Sequence, residues 1–274
     1  MNLLVLLFPL LASAYILPAR TIIERTAENS GTGSYTIEQD VQFPNGPELL
    51  TLKETWIVDN AGNLKLTVTG PRETNLKLQV LYAGGQKWVL RENGRRESTP
   101  VQAEFVERLF HWRQLETALQ QIVALKIAPA SVFQRKALPR RAEDIKHDPD
   151  PLLRLGRTAG VITWDFGAPA APGSVERPPG LWIEQDQFLI RKARFPSQTE
   201  ILADNYSAYS RGLQFPKNRS IQWGPHSVSL RVTNVSAKGV SSLSTNALDS
   251  VWRMQGLENQ PARPVIEEFY KRFR

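Results

Sequence analysis

The chain of 274 residues contains no cysteine, two methionines and three histidines. The missing cysteine excludes disulfides, thiol catalysis, thiolate-held zinc, iron–sulfur clusters and lipid attachment through an N-terminal cysteine. His111, His147 and His226 lie too far apart for any two to share metal-ligand spacing. Absent too are the G-x-S-x-G, H-E-x-x-H and G-x-x-x-x-G-K-S/T motifs of hydrolases, zinc proteases and phosphate-cradling loops. Asp165-Phe166-Gly167 spells a kinase metal-binding triplet, but the Gly-rich and catalytic loops that kinase chemistry needs beside it are not there. Dispersed acids such as Glu38, Asp40 and Glu54 would serve glycoside cleavage only if two met about 5–9.5 Å apart in a cleft. The expectation is a protein that is not an enzyme, with no catalytic residue, cofactor or metal.

Long apolar runs are also scarce. The one from Met1 to Ala14 is shorter than the roughly 20 residues a bilayer-spanning helix needs. It ends in Ala12-Ser13-Ala14, a small-x-small pattern that suits signal peptidase, although no Lys or Arg precedes it. Residues 1–14 therefore read as a cleaved secretory signal, and Tyr15 onward as an exported, unanchored domain. Lacking disulfides, such a chain holds by its apolar core alone.

The chain carries 34 Lys and Arg against 27 Asp and Glu. The excess is uneven: residues 15–134 hold 13 of each sign, whereas residues 135–274 hold 21 basic and 14 acidic. In an exported protein such asymmetry points to anionic lipid headgroups rather than nucleic acid.

Periodicity supplies the elements. Pro18 can open a short helix with Ile22, Ile23 and Ala27 on one face, ended by Gly31 and Gly33. Ser34 to Phe43 then alternates, with Tyr35, Ile37, Gln39, Val41 and Phe43 on one side. Leu49–Asp59, Leu64–Thr69, Leu76–Tyr82 and Gln86–Arg91 follow across short turns, so the first half is an antiparallel meander. Thr99, Pro100 and Gln102 make a capping box, and Val101, Phe105, Leu109, Trp112, Leu115, Leu119 and Ile122 recur at three and four, predicting one amphipathic helix from Pro100 to about Lys126. Pro129 to Arg157 is a Pro-rich, charged arm with seven basic and four acidic residues. Strands resume at Val161–Phe166, and after a loop from Ala168 to Gly180 a second meander runs through Leu181–Glu184, Phe188–Phe195, Glu200–Tyr209, Lys217–Trp223 and His226–Ala237. Pro264 to Arg272 closes the chain as a helix with Val265, Ile266, Phe269 and Phe273 on one side.

The strands place apolar residues on both faces, since Leu49, Ile57, Leu81 and Val89 lie opposite the main apolar side. Either helices cover both faces, or the sheet curls around a cavity. Such a cavity would take an acyl chain, each buried methylene contributing about 0.8 kcal/mol.

Two stretches carry a family resemblance. Leu181-Trp182-Ile183-Glu184-Gln185-Asp186-Gln187-Phe188-Leu189-Ile190-Arg191-Lys192 resembles the LWID-x-x-x-x-LP strand pair of LolA/LolB-type lipoprotein carriers. Asn205-Tyr206-Ser207-Ala208-Tyr209, followed by Gly212-Leu213-Gln214-Phe215-Pro216, is similar to their Y-x-x-x-x-G-x-x-x-P strand and turn. The resemblance spans most of Arg20 to Lys238. It implies a mainly β (α+β) fold, a curved antiparallel sheet or incomplete β-barrel with covering helices. It also implies a soluble periplasmic carrier of lipid or lipoprotein acyl chains. An inserted helix and basic arm at about 99–157 depart from the family pattern, and no strand arginine can be matched to the one that holds the carriers' lid.

On this reading Ile37, Val41, Phe43, Leu52, Trp56, Leu66, Val68, Leu78, Val80 and Trp88 line an apolar cavity in a single domain, residues 15–274. Phe105, Leu109 and Trp112 form its lid. Arg135, Lys136, Arg140, Arg141, Arg191, Lys192 and Arg194 meet headgroups or a membrane surface. The alternative is an envelope scaffold of the same fold, with a filled core and a protein partner.

Overall fold

A computed structural model describes residues 17–74, 76–134, 152–253 and 256–274. The signal segment 1–14 and the arm residues Arg135, Lys136, Arg140, Arg141 and His147 lie outside the described residues.

The order of elements follows the expected alternation. Helix α1 (Ala19–Glu28) precedes β1 (Tyr35–Asn45), β2 (Glu48–Val58), β3 (Leu64–Thr69), β4 (Lys77–Ala83), β5 (Gln86–Leu90) and β6 (Arg96–Pro100). A 3-10 turn (Val106–Phe110) and α2 (Leu115–Ala124) separate these from β7 (Leu153–Thr158) and β8 (Val161–Phe166). Then come β9 (Gly180–Glu184), β10 (Ile190–Arg194), β11 (Glu200–Ala208), β12 (Gln214–Trp223), β13 (His226–Ser236) and the final helix α3 (Arg263–Arg272).

All thirteen strands join in one sheet, ordered β6-β5-β4-β3-β2-β1-β13-β12-β11-β10-β9-β8-β7. Each meander stays contiguous, and the two halves meet where β1 pairs antiparallel with β13. The sheet is curved and unclosed, with β6 and β7 at its edges. Its concave face carries the main core. Ile37, Val41, Phe43, Leu52, Trp56, Leu66, Val68, Leu78 and Val80 all lie there, none more than 1% exposed. Helices α1, α2 and α3 pack on this face. In α1, Ile22, Ile23 and Ala27 are buried as the spacing predicts. In α3 the buried face is Ile266, Phe269 and Tyr270, with Phe273 just beyond.

Three expectations need correction. The long helix from Pro100 is instead an edge strand, a 3-10 turn and a ten-residue helix. Thr99 and Pro100 do not cap it, because both pair in β6, Thr99 with Lys87 and Pro100 with Gln86. Every residue of β6 is exposed, so no alternation betrayed it. Secondly, Leu153–Arg157, placed in the arm, belongs to β7.

Thirdly, Trp88 does not join the cavity set. Residues paired across antiparallel strands share a face, and Trp88 pairs with Leu81 while Lys87 pairs with Tyr82. Trp88 therefore falls on the convex side with Leu81, Leu243 and Leu248. Val89, expected on the second face, packs against the main core instead. The segment that covers this convex patch is tied down by main-chain donors, Leu243 to Asp59 Oδ2 (2.8 Å) and Asp249 to Gln79 Oε1 (2.9 Å).

Candidate functional site

The concave face combines an apolar surface, a cover, and a ring of buried polar side chains between them. Alternation in β1 brings Gln39 inward beside Ile37 and Val41, and parity in β2 does the same for Glu54 between Leu52 and Trp56. In β12, Arg219 shares the inward side with Phe215, Ile221 and Trp223. From the cover come Glu107 in the 3-10 turn and Arg274, which follows α3.

These five close a circuit. Arg274 donates to Glu54 Oε1 from Nε (3.0 Å) and to Oε2 from Nη2 (3.2 Å). The same Nη2 lies 3.2 Å from Glu107 Oε1, which also accepts from Arg219 Nη1 (2.7 Å). Arg219 Nη2 donates to Gln39 Oε1, and Gln39 Nε2 returns to Glu54 Oε2 (2.6 Å). Trp56 Nε1 adds a third donor to Glu54 (3.0 Å). The carboxylate and guanidinium groups of both ion pairs are sealed from solvent, at 0% and 1% exposure. Aromatic faces complete the enclosure, with Arg274 over Phe269 (4.7 Å) and Arg219 over Phe110 and Phe215 (each 5.0 Å).

The ring sets the charge states inside. Burial pushes the Glu107 carboxyl up, but Arg219, Arg274 and His111 outweigh it and hold it down to about 2. Burial pushes His111 down to about 4 against the pull of Glu107, with Arg113 and Arg219 reinforcing the fall. Burial opposes the charge of Arg274, yet Glu54 and Glu107 hold it above its ordinary value. At neutral pH Glu107 and Arg274 are thus charged beside a neutral imidazole. Among the described residues neither nitrogen of His111 has a hydrogen-bond partner, and Glu107 Oε2 lacks one as well. His111 Nε2 stands 3.8 Å from that oxygen.

The three residues expected to form a lid, Phe105, Leu109 and Trp112, are all buried. Phe105 stacks on Tyr82 of β4 at 4.1 Å, and Trp112 donates to Gln121 Oε1 of α2 at 2.7 Å. Leu109 packs into the same core. The nine concave-face residues touch protein on every side in this closed arrangement.

Arg191, Lys192 and Arg194 come together on the second meander, but in ion pairs. Arg191 bonds Glu184, while Lys192 (3.0 Å) and Arg194 (2.5 Å) share Glu200. Lys192 and Arg194 both lie over the Trp182 ring, at 5.3 and 5.2 Å. Among the described residues no group of three His, Asp or Glu side chains is gathered to hold a metal. No helix among them is long and apolar enough to cross a membrane.

The ring was missed in the sequence except for Gln39, which the alternation of β1 already put on the apolar side. Parity would have found Glu54 and Arg219 too. Nothing in the sequence connects Glu107 or Arg274 to them.

No protein-family model matches the chain, and no curated protein is similar to it in sequence. Solved structures are similar in fold. A LolA superfamily protein, NE2245 from Nitrosomonas europaea, is 14% identical over 86% of this chain and 99% of its own, with a TM-score of 0.47. A DUF1329 family protein from Desulfovibrio piger is 12% identical over 84% and 97%, with a TM-score of 0.48. MucB of Pseudomonas aeruginosa, solved with MucA, is 13% identical over 85% of this chain and 61% of that one, at 0.28. Likenesses at these identities and TM-scores assign this chain neither a family nor a role.

Proposed function

We propose that the protein is a non-enzymatic carrier or binding protein for the acyl chains of a lipid or lipoprotein in the bacterial periplasm. The concave face is the ligand surface, and the segment carrying Phe105, Leu109 and Trp112, together with α3, is a cover that opens. One observation carries the reading: the mainly apolar seam between sheet and cover is crossed by a buried ring holding two ion pairs. Apolar residues of similar volume would hold such a seam at least as firmly, because desolvating two ion pairs offsets most of their attraction. Charge at this part of the seam instead lowers its share of the cost of separation, because the parted groups are rehydrated. Glu54, Gln39 and Arg219 stay together on the sheet and are hydrated when Glu107 and Arg274 leave. An acyl chain of about twelve methylenes would then contribute roughly 10 kcal/mol on the exposed apolar face.

The basic residues Arg135, Lys136, Arg140 and Arg141 belong to this proposal as contacts to an anionic surface. Arg191, Lys192 and Arg194 support it less, being neutralised by Glu184 and Glu200. The filled concave face favours a second reading, an envelope scaffold with a protein partner. Native mass spectrometry of purified protein, with uptake of a fluorescent acyl probe by the wild type and by Glu107→Gln, separates the two. A carrier shows bound lipid or takes up the probe, and Glu107→Gln takes it up severalfold faster. The absence of lipid and of uptake in both proteins would leave the scaffold.

A further inference from the structure

The two edges of the sheet are built differently. Strand β6 is exposed at every position, carries Arg96 and Glu97, and ends in Pro100, which has no N–H to offer. Charged side chains and proline blunt an edge against further pairing. Strand β7, Leu153-Arg154-Leu155-Gly156-Arg157-Thr158, has no proline, and among the described residues no strand lies on its outer side. Leu155 on β7 and Ile162 on β8 stand on the same side as the core residues Leu153, Trp164 and Phe166, yet each is 46% exposed.

The hydrogen-bond phase of β7 follows from its neighbour. Gly167 N–H bonds to Leu152 O at 3.0 Å, one step before the Leu153–Phe166 pair. Hydrogen-bonded and non-bonded pairs alternate along an antiparallel ladder. Arg154 and Gly156 therefore direct their main-chain groups to β8, whereas those of Leu153, Leu155 and Arg157 turn outward to the open edge. On the side away from the core, Asp165 leans over Gly156, where a Cβ would collide with its Oδ2. That carboxyl, which accepts from Thr163 Oγ1 at 2.6 Å, thus lies beside the edge with no β7 side chain between.

We propose that β7 pairs with β7 of a second copy of this chain, antiparallel about a two-fold axis at Leu155, so that one sheet runs on into the next. The register centred on Leu155 satisfies side-chain parity and hydrogen-bond phase together: Leu155 opposite Leu155, Leu153 opposite Arg157, and Arg154 opposite Gly156. Every outward main-chain group from Leu153 to Arg157 then finds a partner, and the two exposed Leu155 side chains cover each other. Like charges directly opposite would weaken the seam, and this register has none. Instead, Arg154 of one copy comes in beside the Asp165 carboxyl that overlies Gly156 of the other. Such a self-complementary contact is isologous and closes at two chains. It stands independently of the acyl-binding reading.

Sedimentation velocity of the full chain, from micromolar to submillimolar concentration, tests it. A contact of this size lies at the low end of interfaces, below about 1,200 Å², so the mass is expected to rise reversibly from one chain toward two. Leu155→Pro removes an outward donor and leaves the ladder to β8 intact, and should weaken the association at least about tenfold with the circular dichroism unchanged. Because the chain has no cysteine of its own, single substitutions report the register. Leu155→Cys should form a disulfide-linked dimer under mild oxidant, since Cα atoms of a hydrogen-bonded antiparallel pair lie about 5.5 Å apart. Ser98→Cys on β6 and Thr158→Cys at the end of β7 should not. A chain that stays monomeric throughout overturns the proposal, and so does a dimer that Leu155→Cys fails to link or that Ser98→Cys links as readily. The cysteine variants decide the matter even if Leu155→Pro does not fold.

Discussion

His111 should make the fold acid-sensitive well above the range in which carboxylates titrate. Its folded value, about 4, lies below the ordinary 6.5 because burial disfavours the imidazolium more than Glu107 attracts it. Above pH 6.5 both folded and unfolded chains carry a neutral imidazole, and the group does not discriminate. Between 6.5 and 4 the unfolded chain takes a proton that the folded chain refuses, so stability falls with pH. At about 1.36 kcal/mol per unit, the full window is worth about 3 kcal/mol. Between pH 7 and pH 5 the loss is about 2 kcal/mol, roughly twentyfold in the folding constant.

Urea unfolding followed by far-UV circular dichroism at those two pH values measures it directly. With m of about 3 kcal/mol/M, the midpoint should move by roughly 0.6 M. His111→Phe is the informative variant. Phenylalanine keeps the stack on Phe215, whose ring centre is 5.5 Å away, and gives up no hydrogen bond, since neither imidazole nitrogen makes one among the described residues. Its absolute stability at pH 7 depends on how the larger ring packs, but its pH 7-to-5 slope should drop by the full 2 kcal/mol. A variant that keeps the wild-type slope would show that His111 is not buried in the neutral form.

Other perturbations read different parts of the same architecture. Further acidification should weaken the fold as pH falls from about 4.5 toward 2, because Glu107, held down to about 2, is then protonated first in the unfolded chain; Glu107→Gln should flatten that limb of the stability profile. Arg219→Met and Glu107→Leu should each cost about 3–5 kcal/mol by stranding a buried charge, yet together cost much less than their sum, as a double-mutant cycle in urea would show. Trp112→Phe should lose about 1–3 kcal/mol in the same assay, since it strands Gln121 Oε1 inside the cover. Gly256→Ala should lower stability by at least about 2 kcal/mol. Gly256 has φ of +80°, and a Cβ there would meet the Thr74 carbonyl oxygen at 1.7 Å.

Strands with one buried face were legible wherever alternation survived, which is why β1 and β2 and the two meanders could be read. Elements without it could not. Strand β6 is exposed at every position and carries Arg96, Glu97, Ser98 and Thr99, so only its pairing with β5 makes it a strand. That same pairing consumed the residues that looked like a helix cap. Local cap chemistry and helical spacing favoured one long helix, and tertiary pairing overrode both. Val101, Phe105, Leu109 and Trp112 do turn inward, but through a 3-10 turn and extended backbone. For Trp88, the face was decided by the register across the Ala83–Gln86 turn, a quantity that composition does not report.

The ring illustrates a sharper limit, and it also bears on how the proposed cover would open. Its members stand at positions 39, 54, 107, 219 and 274, so no local window contains an ion pair, and each charge taken singly looks like a surface residue. Only the sheet order, which sets β1 between β2 and β13 with β12 next in line, brings Gln39, Glu54 and Arg219 together. The same topology divides the ring unequally. Three members sit on β2, β1 and β12 of one sheet, with β13 between the last two, and remain near one another whatever the cover does, whereas Glu107 and Arg274 ride on separate cover segments and are joined to each other through a single carboxylate oxygen. Withdrawing either cover segment alone would strand one charge of the opposite sign in the core, at a cost of several kcal/mol. Withdrawing both leaves Glu54 and Arg219 to offset each other through Gln39. Opening is therefore least costly when the 3-10 turn and α3 leave together, and the ring couples them.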